Sequence, residues 1–260
     1  MRRSIRGGMG LGDALYVQAV ARHLVMKGER LRVHTSWPDV FRPLGDNVEI
    51  APFTRLGVNI LAHYSLRKGR AETTQFQDVC LTAGIREPVE LKLDWTPTSC
   101  IGDDLKARGR PIVCVQLPRA PMGRKDGFGA ELLPDCGVIQ KMIDEIKGTA
   151  LVVQIGSGVP LYRFSGIDVD LANRTTVAEL LDVALAADAF LGYVSFIVPL
   201  AESLGKPALL VWSRKGLKAG HLYVRQITPK KVLHAPRSSH VFDDAPELGK
   251  TMRDFCGSLA

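Results

Sequence analysis

"RGGMGLGDAL", residues 6–15, sets four glycines and one aspartate between the short basic "MRRSI" and an apolar, helix-patterned stretch, "ALYVQAVARHLVMKG", that ends on Gly28. With "RSI" as a first strand, Gly7, Gly8, Gly10 and Gly12 make a strand-to-helix turn whose backbone can approach a ligand and whose helix N-terminus favours an anion. No Gly-Lys-Ser/Thr follows, so the turn is not a Walker A loop. Asp13 stands where a dinucleotide fingerprint would need its third glycine. Read alone, Asp13 is a helix cap that satisfies free N–H groups and complements the helix dipole.

The same strand-then-helix alternation continues outward. Strands are expected at 31–37, 47–53, 110–117, 149–156, 188–195 and 207–213, short runs rich in apolar and β-branched residues. Helical patterns fill 72–85 and 137–148 between them, and Gly28, Gly84 and Gly148 are expected as C-caps. Alternation of this kind predicts an α/β fold of two Rossmann-like, doubly wound domains facing a cleft. The polar, proline-bearing stretch 90–111 marks the boundary, giving domains 1–107 and 108–260.

With 260 residues, 46% hydrophobic and 23% charged, the chain can bury a core without staples. Its longest apolar run, 176–192, is broken by Glu179, Asp182 and Asp188, so no membrane span is expected. No apolar segment backs the basic start, so no secretory signal is read and a cytoplasmic address is expected. Cys80, Cys100, Cys114, Cys136 and Cys256 are odd in number and scattered, which argues for mostly buried thiols and against disulfides or structural zinc. The net charge of +7 favours an anionic partner such as a nucleotide, a phosphorylated glycan or a nucleic acid. His23 reads as a core residue of the first helix, and His221, His234 and His240 lack metal-ligand spacing.

"GGMGLGDAL" resembles the N-terminal Gly-x-x-Gly-Asp motif of the heptosyltransferase-like family of GT-B glycosyltransferases (glycosyltransferase family 9). "DLANRTTVAELLDVALAADAFLGYVSFIVPLAESLGKPALLVW", 170–212, resembles that family's donor-binding region, from its Asp-Leu-x-x-x-Thr opening to its Leu-Gly-Lys-Pro ending. The likeness covers the first 45 residues and roughly 110–213. It implies that Asp13 is the general base that takes a proton from an acceptor hydroxyl. Where the family carries Asn-Asp-Ser/Thr-Gly-Pro-Met-His, this chain has Tyr193 to Pro199, and of that motif the serine remains.

A nucleotide-sugar leaves as a diphosphate, which calls for cations and helix N-termini. Ser195 and the N–H groups of Phe196 and Ile197 open a helix running to about Leu204 and form an anion-site candidate; the alternative is a plain N-cap. Lys125 matches the family's phosphate-binding lysine, with Arg119 and Arg124 beside it; the alternative is a solvated basic loop. Glu202 falls on the helix after Ser195, as a ribose contact or a surface residue.

The resulting expectation is an inverting glycosyltransferase that needs no metal or cofactor, the nucleotide-sugar being a co-substrate. Its acceptor is a glycan such as lipopolysaccharide or a modified DNA base. The alternative reading is a non-catalytic nucleotide or nucleotide-sugar binding module, and the oligomeric state stays open.

Overall fold

The computed structural model describes residues 2–54, 57–64, 73–119, 133–215 and 238–257. Strands β1 (Arg3–Arg6), β2 (Leu31–Thr35), β3 (Val48–Pro52) and β4 (Ile60–Leu61) form a parallel sheet in the order β3-β2-β1-β4. Strands β5 (Ile112–Gln116), β6 (Leu151–Ile155), β7 (Val169–Asp170), β8 (Ala189–Tyr193), β9 (Ala208–Trp212) and β10 (Ser238–Phe242) form a second parallel sheet, ordered β10-β9-β8-β5-β6-β7. In each sheet the order reverses beside the first strand, which is the doubly wound pattern with its ligand crevice at the strands' carboxyl ends. The expected two Rossmann-like α/β halves are therefore present. No helix among the described residues is long and apolar enough to cross a membrane.

The helices are α1 (Leu11–Met26), α2 (Gln75–Thr82), α3 (Ile101–Lys106), α4 (Cys136–Ile146), α5 (Val177–Ala186), α6 (Ile197–Ser203) and α7 (Leu248–Gly257). Gly28 and Gly84 adopt φ of +85° and +82°, as expected of glycines that end α1 and α2. Gly148 likewise follows a C-cap residue, Lys147, whose N–H donates to the Ile143 carbonyl, but it does not adopt a positive φ. Thr176 and Glu179 cap α5 reciprocally. Lys206, of the Leu-Gly-Lys-Pro signature, closes the other end of α5 by donating Nζ to the carbonyls of Ala184, Leu185 and Ala187. A signature that resembles a donor-binding region thus does structural work at this lysine.

One apolar cluster joins the halves. It runs from Ile5, Leu31 and the buried face of α1 through Phe76 and Trp95 to Ile112, Leu181 and Ile197, while Val113, Ile139, Val152 and Phe255 fill the second sheet's other face under α4 and α7. Helix α1 crosses α6 at Gly12, where an added Cβ would sit 3.1 Å from Pro199 Cγ and 3.3 Å from Phe196 Cα. This glycine serves the contact between the halves.

The extended segment after α2 is clamped from both sides. Buried Gln18 of α1 donates Nε2 to the Asp94 carbonyl at 2.8 Å and to the Val40 carbonyl at 2.9 Å. Asp182 of α5, only 2% exposed, accepts from the Trp95 indole at 2.7 Å, from Ser99 N at 2.8 Å and Oγ at 2.7 Å, and from Thr98 N and Oγ1. Helix α3 packs on α5 at Gly102, where a Cβ would meet the Asp182 carbonyl at 3.1 Å.

Cys80 and Cys114 are buried, Cys136 and Cys256 half-buried, and Cys100 exposed, so fewer thiols are sequestered than expected. His23 is half-buried rather than fully in the core, with its Nε2 3.0 Å from Glu87 Oε1.

Burial would raise the Asp182 carboxyl, but the bonds from Trp95, Ser99 and Thr98 outweigh it and hold it below the ordinary value. Its contribution to stability is therefore full above the unfolded aspartate value of about 3.9 and fades as the pH falls through the lower native one. Asp182→Ala, which strands several buried donors, should destabilise by about 3 kcal/mol in denaturant titrations at neutral pH. Asp182→Asn should lose less and should lack the acid-dependent component.

Candidate active site

Asp13 lies in the first turn of α1, and the helix begins earlier than the sequence indicates. Gly10 is its N-cap, so Asp13 is the third helical residue and not the cap. Its Oδ2 reaches back to accept the Gly10 N–H at 3.0 Å, the half of a capping box that a glycine N-cap leaves to its partner. The glycines explain the rest of the turn. A Cβ at Gly8 would stand 2.2 Å from Asp13 Oδ2, one at Gly10 3.1 Å from the same oxygen, and one at Gly7 2.4 Å from Val17 Cγ2. What this bare loop holds is the carboxylate of Asp13. Trp37 braces it from outside by donating its indole N–H to the Met9 carbonyl at 2.8 Å.

Asp13 is half-buried. Burial pushes its carboxyl above the ordinary aspartate value, against the opposing pull of the Gly10 N–H and of nearby His63. His63 is fixed by its backbone, which donates N–H to Thr82 Oγ1 at 3.1 Å and accepts from it at 2.6 Å. A carboxylate drawn partly out of water in this way holds a proton more readily than a free one, which suits it to taking a proton.

Asp13, Gly10 and Gly12 line a cavity of about 160 Å³ together with Tyr16, Tyr64 and Gln75 of the first half and Ser195, Phe196 and Pro199 of the second. The glycine loop and the Ser195 turn therefore face one cleft. The chemistry of Ser195 differs from the expectation, however. Its hydroxyl donates to Gln116 Oε1 at 2.7 Å and accepts from Ile197 N at 3.3 Å, so its proton is committed within the protein. Helix α6 is seven residues long and opens on Phe196 with no side-chain cap, a weaker anion site than the sequence pattern promised. Tyr193, where the family motif has asparagine, donates its hydroxyl to the Leu117 carbonyl at 3.2 Å and accepts from Arg119 N at 3.4 Å, tying β8 to the end of β5.

Arg119 does not line the cavity. Its guanidinium donates to the Ser157 carbonyl at 3.3 Å, beside the loop that follows β6. Arg124 and Lys125 lie outside the described residues, as do His221 and His234. Glu202 is not a surface residue: it is half-buried, and burial pushes its carboxyl up to about 7. His240 accepts from the Trp212 indole at 3.2 Å, and burial lowers it to about 4.

Sequence reasoning passed over Tyr16, Tyr64, Gln75, Gln116 and Pro199. Tyr16 had a signal, since it stands three positions after Asp13 and so shares its helix face. Gln116, 3% exposed, is the polar residue closing the apolar run "IVCV" at a strand's carboxyl end, where ligands of such folds bind.

No protein-family model matches this chain, and no curated protein matches it. Solved structures do. The E. coli ADP-heptose LPS heptosyltransferase II is 13% identical, with 99% of each chain covered and a TM-score of 0.64. A glycosyl transferase family 9 protein from Veillonella parvula DSM 2008 is 10% identical, over 97% of this chain and 89% of that one, at a TM-score of 0.59. The iron-containing dodecameric glycosyltransferase TibC from enterotoxigenic E. coli H10407 is 18% identical over 81% of this chain, at a TM-score of 0.57. TibC is also known in complex with ADP-D-β-D-heptose, and this chain spans 57% of TibC's length. Among the described residues, no group of three or more His, Cys, Asp or Glu could hold a metal ion. At these identities the likeness establishes the architecture: the fold of this chain is that of the heptosyltransferase-like GT-B glycosyltransferases.

Proposed function

We propose that this protein is an inverting glycosyltransferase that moves a sugar from a nucleotide-sugar donor to an acceptor hydroxyl, with Asp13 as the general base. The observation that carries this reading is the placement of a half-buried carboxylate, pushed up by burial, on the wall of a cavity that both halves of the molecule line. The shared fold supports it, as does the ADP-heptose bound by TibC.

The step is a displacement. Asp13 accepts the hydroxyl proton while the hydroxyl oxygen attacks the anomeric carbon, and the bond from that carbon to the diphosphate oxygen breaks on the opposite face. Negative charge then grows on the departing diphosphate, and Lys125, by its match to the family's phosphate-binding lysine, is our candidate to meet it. Ser195 acts indirectly in this scheme, holding the α6 turn to Gln116.

Asp13→Asn tests the reading. The asparagine oxygen can still accept the Gly10 N–H, and removing a charge that burial disfavours relieves the fold, so the melting temperature should stay level or rise. Turnover should nonetheless fall roughly 10² to 10⁴-fold. A folded variant that turns over at the parent rate would contradict the assignment.

The pH profile provides a second check. The base works only when ionised, so kcat/KM should rise with pH through the value of Asp13, and that limb should lie above the ordinary aspartate value of 3.8 because burial raises it. Nucleotide-sugar hydrolysis, with water as acceptor, can supply the rate.

A further inference from the structure

The amino ends of the first sheet carry a row of arginines that the proposed reaction does not use. Arg2 and Arg3 stand at the start of β1, and Arg30 and Arg32 at the start of its neighbour β2. Arg3 pairs with Leu31 in the parallel register and donates its N–H to the Arg30 carbonyl at 3.1 Å, which brings both groups to one edge. Arg2, Arg3 and Arg30 line a cavity of about 650 Å³ together with Gly28 and Glu29. The cavity lies at the opposite end of α1 from Asp13, since the 16 residues of that helix span about 24 Å. It is therefore no part of the cleft.

Two carboxylates hold these arginines in place. Arg3 Nη1 donates to both oxygens of Glu29, at 2.7 and 2.8 Å, while Glu49 takes Arg2 and, at 2.9 Å, Arg32. A guanidinium has five N–H donors, and the bonds of Arg2 and Arg3 to these carboxylates use only the Nη1 end. The side chain of Arg30 has no ion pair or hydrogen bond among the described residues. The described lining thus sets three arginines against one glutamate, a surplus of two positive charges. The Leu24 and Val25 carbonyls at the end of α1, which would repel an anion, are taken by the N–H groups of Lys27, Gly28 and Glu29.

We propose that this cavity is a second ligand site, remote from the cleft, that binds a compact oligophosphate through Arg2, Arg3 and Arg30. Planar guanidinium forks match phosphate oxygens two at a time, and arginines already held by carboxylates lose less freedom when a ligand arrives. Several cations around one cavity suit a ligand with several negative charges close together, and the volume is that of a small-molecule site. The inference does not depend on the glycosyltransferase reading.

The experiment is isothermal titration calorimetry of the full chain with tripolyphosphate at low ionic strength. Arg2 and Arg30 are exposed, and surface charges of this kind contribute little to stability, so their alanine variants should stay folded. Arg30→Ala should weaken tripolyphosphate about tenfold and the double variant Arg2→Ala/Arg30→Ala about a hundredfold, each arginine giving charge-assisted hydrogen bonds. Added salt should weaken the parent in the same direction. A Lys125→Ala variant should keep the arginine-dependent binding. A parent that does not bind tripolyphosphate, or affinity indifferent to both arginines in folded variants, would overturn the proposal. So would binding lost in Lys125→Ala and kept in the arginine variants, which would place the phosphates in the cleft. A short single-stranded oligonucleotide that binds through the same arginines more tightly than tripolyphosphate would overturn the assignment of a compact ligand in favour of a nucleic-acid backbone.

Discussion

The bond from the Gly10 N–H to the carboxylate of Asp13 is the contact on which the cleft depends. It fixes a charged side chain inside a turn that has space for it only because Gly8 carries no side chain. That placement opposes burial to function: a carboxyl drawn out of water resists ionisation, and one backbone donor with the influence of His63 only partly offsets the effect. A fold selected for stability alone would put a less demanding group there. The tension between stability and chemistry is concentrated at this residue.

Helix α1 carries more than the aspartate. Its first turn meets α6 of the other half at Gly12, and Gln18 holds the connecting segment, whose far side is gripped by Asp182. A single rigid element therefore sets where the carboxylate sits, how close the second half comes, and how the connection between them runs. The opposite wall is fixed in its turn by Gln116, whose Oε1 accepts from Ser195 Oγ and from the backbone of Tyr193. These contacts make the cavity a property of the whole molecule rather than of either sheet.

Alternation of strand and helix was legible because parallel strands buried on both faces read as short apolar runs, and all six runs from 31–37 to 207–213 contain strands. The two-residue strands β4 and β7 are too short to leave a pattern, and β10, with its sequence "SSHVF", lacks an apolar run. The start of α1 was misplaced because its N-cap is a glycine with no side chain to announce it, leaving Asp13 as the visible polar residue. The contact of Gly12 with Pro199, far along the chain, has no local signature. Gln75 and Tyr64 reach the cavity only through the folding of distant segments, and no motif marks them. Asp13, by contrast, could be singled out because a carboxylate closing a glycine loop at a helix start is rare enough to require a reason.

The central claim is that a donor sugar and Asp13 meet across this one cavity. A crystal structure of the protein with a non-hydrolysable nucleotide-sugar analogue tests it most directly. The account predicts that the nucleotide lies along the carboxyl ends of the second sheet, with the anomeric carbon opening toward the cavity that Asp13, Gln75 and Phe196 line. An analogue bound with its anomeric carbon turned away from Asp13, or seated clear of this cleft, would contradict it.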